Sequence, residues 1–102
     1  MKKEMTSAEI IHMCTPVFRK YNIQRAGLFG SFVRGEQREN SDLDFLVEFP
    51  APVSLFTLGE LKAELEDTFR TSCDVLTYSS IEKDKSPLSL IISKEELPIY
   101  GY

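Results

Sequence analysis

Polar and apolar positions alternate with two different periods along this chain, and the changes of period mark its elements. Leu43, Phe45, Val47 and Phe49 fall on one face of a two-residue repeat, with Asp42, Asp44, Leu46 and Glu48 on the other, which predicts a strand over Leu43 to Phe49. After Pro50 and Pro52, Leu58, Leu61, Leu65 and Phe69 recur at spacings of three and four. That period predicts a helix capped by Ser54 and running to about Arg70, its apolar stripe covering the sheet. Gly59 inside this helix costs ~1 kcal/mol relative to Ala, so it is expected where the helix passes close to another element.

Upstream, Thr6-x-x-Glu9 is a capping-box pattern ahead of Ile10, Ile11, Val17 and Phe18, predicting a first helix from about Ser7 to Tyr21 that Pro16 should kink or divide. Arg25 to Phe29 reads as a short strand. Gly30-Ser31 then opens a segment that favours a short helix ending near Gly35, followed by a polar loop from Glu36 to Ser41. Cys73 to Thr77 reads as a third strand, and Pro87 to Glu96 as a last helix before the tail PIYGY. The expected order is α, β, short α, β, α, β, α. No repeat and no Gly/Ser-rich linker interrupts it, so residues 1–102 are treated as one domain.

Composition narrows the class. A chain of 102 residues with 42% apolar and 27% charged residues is ordinary for a globular domain of modest core. The start MKKEMTSAEII has no apolar stretch of signal-peptide length and no run is long enough to span a bilayer, so a cytoplasmic protein without membrane contact is expected. Cys14 and Cys73 have no CxxC spacing and read as small buried apolar residues. A net charge of −4 argues against binding along a nucleic-acid backbone. Between Arg19 and Arg38, however, stand five basic residues (Arg19, Lys20, Arg25, Arg34, Arg38) and one acid, Glu36, which suits a local site for a small polyanion.

The candidate chemistry follows from spacing. Asp42 and Asp44, two apart on a strand, project from the same face, where their charges repel unless a divalent cation bridges them. Hard oxygen ligands of this kind suit Mg²⁺. Gly30-Ser31 precedes the pair by ten residues and stands between a strand and a helix start. Gly there permits close backbone approach, and the first amides of the helix point outward with the positive end of its dipole, a cradle for phosphate. Ser31 can add a hydroxyl, and Arg34, on the same helical face, a charge-assisted contact. A third carboxylate, Asp74, begins the strand CDVLT and lies beside Asp42 and Asp44 if the two strands pair. Three carboxylates facing a phosphate cradle point to phosphoryl chemistry with two Mg²⁺ ions.

The segment GLFGSFVRGEQRENSDLDFLVEF resembles the core motif of the polymerase-beta-like nucleotidyltransferase superfamily, and most closely its minimal nucleotidyltransferase (MNT) branch. SLFTLGELKAELEDTFRTSCDVLTYSSI resembles the next helix and third-aspartate strand of that branch, and ISKEELPIYG its C-terminal end. The resemblance implies an α/β fold with a short mixed sheet covered by helices on one face. It puts Gly30, Ser31, Arg34 and Ser41 at the triphosphate of ATP, and Asp42, Asp44 and Asp74 at Mg²⁺, with Asp74 also activating the acceptor. Ser72-Cys73 depart from the basic and aliphatic pair usual before the third aspartate. Members of this size are commonly antitoxins that pair with a HEPN-type ribonuclease toxin and inactivate it by moving AMP from ATP to a toxin tyrosine.

Other readings fit less well. A polymerase needs further domains to grip template and primer, and a transferase acting on a small molecule generally carries a second domain for its acceptor. An antitoxin that only masks its toxin by binding is expected to have lost acids that this chain keeps. Tyr100 and Tyr102 in the tail can serve an interface or pack on the domain. His12, far in sequence from the motif, is assigned to the surface or the scaffold.

Overall fold

In the computed structural model the described residues are 6–30, 33, 43–83 and 94–101. The first helix, α1 (Ser7–Lys20), begins at the expected capping box. The Glu9 amide donates to the Thr6 hydroxyl at 3.1 Å and the Thr6 amide donates back to the Glu9 carboxylate at 3.2 Å. Pro16 does not divide the helix. It has no N–H to give the His12 carbonyl, but both residues are exposed, so water can take the freed acceptor.

Four strands make one mixed sheet: β1 (Arg25–Phe29), β2 (Leu43–Glu48), β3 (Cys73–Thr77) and β4 (Leu97–Tyr100), in the order β3-β2-β1-β4. β1 runs antiparallel to both β2 and β4, whereas β2 and β3 are parallel. Parallel neighbours need a crossover, and α2 (Leu55–Phe69) supplies it. Ser54 caps its start by accepting from the Thr57 amide at 3.3 Å. Arg70 ends it in the left-handed region at φ 57°, its amide donating to the Glu66 carbonyl at 2.8 Å.

Strand alternation decides where the core lies. Leu43, Phe45 and Val47 of β2 and Ala26 and Leu28 of β1 are buried with Ile10, Cys14, Val17 and Phe18 of α1 and Leu61, Leu65 and Phe69 of α2. The rings of Phe18 and Phe45 meet edge to face at 6.1 Å and those of Phe45 and Phe69 lie tilted at 5.9 Å, so one aromatic chain ties both helices to the sheet. At the rim, Glu64 accepts from Lys20 at 2.8 Å and from the Tyr21 hydroxyl at 3.2 Å. The Lys20 bond holds the Glu64 carboxyl below its ordinary range. Both cysteines are buried free thiols, and burial pushes Cys14 up to about 12. Cys73 thus fills the core position where the resemblance expects an aliphatic residue, while Ser72 is exposed.

The sheet and its helix-covered face are as expected, and two elements are additions. A short helix, α3 (Tyr78–Lys83), sets Tyr78 and Ile81 against Phe29 and Leu46 on the other face of the sheet. Six residues are too few for a helical period to show in the sequence. The tail forms β4, an edge strand, which is where Pro98 is tolerated because its missing N–H can face outward. Tyr100 packs on the domain, its ring 5.4 Å from that of Phe18. The expectation for Gly59 fails: it is exposed, and a Cβ built there meets nothing within 4 Å. The short helix after Ser31, the loop to Ser41 and Tyr102 lie outside the described residues, as does most of the helix expected over Pro87 to Glu96, of which Lys94 and Glu95 are helical. Among the described residues no helix is long and apolar enough to cross a membrane.

Candidate active site

The alternation that buries Leu43, Phe45 and Val47 turns Asp44 to the face away from α1 and α2. There Asp44 is the register partner of Phe29 on β1 and of Asp74 on β3. Partners on parallel neighbours project to the same face, from strands about 4.8 Å apart. Two carboxylates about 6 Å apart repel by ~3 kcal/mol at an effective dielectric of 20, and a cation between them reverses the sign. Asp44 is half-buried and Asp74 exposed, so the pair opens outward at the β3 side.

Gly30 follows Phe29 directly and closes the site from the β1 side. Its φ is +79°, in the region that favours glycine, and a Cβ built on it would collide with the Asp44 carboxylate. The Gly30 carbonyl accepts from the Val33 amide at 3.1 Å, which starts the turn. Backbone and carboxylate therefore touch where any side chain would separate them.

Two hydrogen bonds hold the starts of the acid-bearing strands. The Leu43 amide donates to the Ser72 carbonyl at 3.1 Å, joining the residue before Asp44 to the one two positions before Asp74. The Cys73 amide donates to Glu66 Oε2 at 3.0 Å, and Lys62 Nζ reaches the same oxygen at 2.9 Å. The Cys73 amide, and after it Lys62, hold the Glu66 carboxyl below its ordinary value, while Glu66 raises the Lys62 ammonium. Sequence reasoning missed Glu66. Its spacing of four from Lys62 was visible, but the bond to Cys73 depends on how α2 turns into β3.

Farther along this face, Phe29, Leu46, Tyr78 and Ile81 form a small apolar cluster with Leu76 beside it. Arg25 Nε donates to Glu48 at 2.8 Å and its guanidinium lies 3.9 Å from the Tyr78 ring centre. The Tyr78 hydroxyl donates to the Glu96 carboxylate. Glu96 lies flat over the sheet because Gly27 leaves space beneath it; a Cβ there would collide with the Glu96 side chain. This network ties β1, β2, α3 and the start of β4 together behind the acids.

Of the expected site residues, Gly30, Asp44 and Asp74 are brought together, while Ser31, Arg34, Ser41 and Asp42 lie outside the described residues. The basic run is not one free patch: Lys20 is committed to Glu64 and Arg25 to Glu48, and Arg34 and Arg38 lie outside the described residues. His12 is exposed on α1. Among the described residues no three potential metal ligands cluster. Asp44 and Asp74 form a hard oxygen pair, the donor type that Mg²⁺ takes together with phosphate and water.

This geometry has counterparts. Residues 16–100 match the family model described as nucleotidyltransferase domain. A Methanocaldococcus jannaschii protein provisionally named a protein adenylyltransferase is 47% identical over 77 residues, covering 76% of this chain and 83% of that protein. Among solved structures, a toxin-antitoxin complex with AMP-PNP contains a chain that superposes with a TM-score of 0.75 at 20% identity, covering 90% of this chain and 73% of the other. A complex of a tri-AMPylated Shewanella oneidensis HEPN toxin with an MNT antitoxin gives 0.69 at 15% identity, covering 95% and 74%. At those identities the two structures share the fold with this chain.

Proposed function

Because this chain belongs to the nucleotidyltransferase-domain family and is a nucleotidyltransferase, we propose that it is an antitoxin that transfers AMP from ATP to a tyrosine of a HEPN-type ribonuclease toxin. The observation that carries this is the register pairing of Asp44 with Asp74 against the bare backbone of Gly30. The similarity to a protein named for adenylyl transfer supports the choice of AMP, and the fold shared with antitoxin complexes supports the choice of partner.

In this reading Asp42, Asp44 and Asp74 would hold two Mg²⁺ ions, which would neutralise the triphosphate and stabilise the negative charge developing on the α-phosphate oxygens and the leaving pyrophosphate. Gly30 leaves the backbone open to the phosphates, and Ser31, Arg34 and Ser41 fix the triphosphate by hydrogen bonds. The toxin phenol oxygen attacks the α-phosphorus, the bond to pyrophosphate breaks, and the phenol proton passes to the Asp74 carboxylate. Asp74 is exposed on an open face, so a second protein can bring its own side chain to the reacting atoms. The protein works in the cytoplasm, where ATP and Mg²⁺ are at hand.

The test is the intact mass of a HEPN toxin after incubation with this chain, ATP and Mg²⁺, followed by peptide mapping. The expected result is a gain of one or more AMP groups on tyrosine. If no mass is gained and Asp42→Asn/Asp44→Asn still neutralises the toxin fully in cells, the protein acts by binding alone and the transfer reading is wrong.

A further inference from the structure

Helix α2 is apolar on two sides, and the sheet uses one. Leu61, Leu65 and Phe69 are buried against the core, whereas Leu55, on the flank of that stripe, is 86% exposed and Phe56, opposite it, 85%. Val53, just before the helix, is 41% exposed. At 100° per residue, Leu55, Gly59, Ala63 and Phe56 share an arc of about 100°, and all four are exposed. Nothing lies within 4 Å of a Cβ built at Gly59, so this side is shallow in its middle with Leu55 and Phe56 standing at one end. Two adjacent large apolar side chains in water add nothing to folding, and an apolar patch with a polar rim marks an interaction surface. Two acids, Glu60 and Asp67, are exposed along the same side, while of the nearby cations Lys62 is paired with Glu66 and Arg70 stands at the cap beyond the last turn.

We propose that this side of α2 docks an α-helix of a protein partner, whose apolar side chains cross the shallow Gly59/Ala63 stretch while its Lys or Arg residues meet Glu60 and Asp67. A second copy of the chain fits poorly. Packed antiparallel about Gly59 and Ala63, Asp67 of one copy would meet Leu55 of the other; packed parallel, Glu60 would meet Glu60. Charge complementarity therefore selects a basic helix from another protein, and identifying that protein as the HEPN toxin rests on the function proposed above. α2 begins after the end of β2 that is remote from Asp44, and the run from Asp44 to Glu48 alone spans about 13 Å. The Leu55/Phe56 end of the surface is therefore set apart from the acids, while the other end of α2 returns toward β3.

The test measures the Kd of the full chain for a HEPN toxin by calorimetry, with Asp44→Asn in every sample so that no modification intervenes. Adding Leu55→Ser/Phe56→Ser should raise Kd at least ~30-fold, the effect of losing a central apolar anchor. ATP affinity and melting temperature should stay unchanged. Glu60→Lys/Asp67→Lys should raise Kd by roughly tenfold at low salt, and by less at high salt. A Kd within about threefold of the parent for the apolar variant, or tighter binding after charge reversal, overturns the proposal. So does a homodimer seen by light scattering that Phe56→Ser dissolves. Transfer and docking fail separately: a Phe56-dependent complex in which the chain with Asp44 intact moves no AMP sinks the first alone, and AMP transfer with a Phe56-independent Kd sinks the second alone.

Discussion

The two faces of the sheet are built from alternate residues of the same strands and do opposite work. On the helix-covered face Leu43, Phe45 and Val47 are buried with α1 and α2 in a dry apolar layer. On the other, the residues between them are Asp44, Leu46 and Glu48, with Asp74 in register beside Asp44 and Glu48 bonded to Arg25. The first face stabilises the chain, and the second gathers its charged side chains. Substitutions one residue apart on β2 should therefore divide cleanly between stability and chemistry.

The largest effect on stability belongs to the covered face. Phe45→Ala removes a fully buried ring that touches Phe18 and Phe69, and should cost ~3–5 kcal/mol in denaturant unfolding. On the open face, Asp74→Asn should slow AMP transfer by ~10²–10³-fold, the scale of losing one electrostatic group at a reacting centre, with the unfolding midpoint unchanged or raised. Equal losses of stability from both substitutions would break the division.

Glu66 sits between the two roles, since it grows from the covered helix and holds the residue before Asp74. Its carboxyl is held below its ordinary value in the folded chain, so its contribution to stability is present above that ordinary value, near 4.5, and lost as pH falls through the lowered one. Glu66→Gln should flatten the acid limb of the stability curve there and leave neutral-pH unfolding less affected than Phe45→Ala does. An unchanged acid limb would show that the bond to Cys73 carries no linkage. The smallest effect is expected at Gly59→Ala, which should stabilise by at most ~1 kcal/mol, because the added methyl meets nothing. Destabilisation would mean that the side of α2 away from the sheet is already occupied.

Elements with a strong period or a cap could be read from the sequence. The Thr6/Glu9 capping box appears where the pattern predicts, the strand expected over Leu43 to Phe49 ends at Glu48, and of the expected stripe Leu61, Leu65 and Phe69 are buried while Leu58 is half-buried. The pairing of Asp74 with Asp44 was expected only on condition that their strands adjoin, and they do. What was hidden is tertiary. α3 is too short for a period, β4 is a tail that becomes a strand only because β1 offers it a partner, and the roles of Glu66, Gly27 and Glu96 depend on contacts between distant elements. Gly59 was misread because local propensity predicts a cost without saying which side of the helix bears it.

If the acid face carries the proposed AMP transfer, its loss should leave the fold on the helix-covered face intact. Asp44→Asn tests it most directly, with the rate of AMP transfer to a HEPN toxin and the melting temperature measured on one preparation. Transfer should fall at least ~100-fold with the melting temperature unchanged or slightly raised. Transfer within about tenfold of the unsubstituted chain, below the loss expected for one such group, would contradict it.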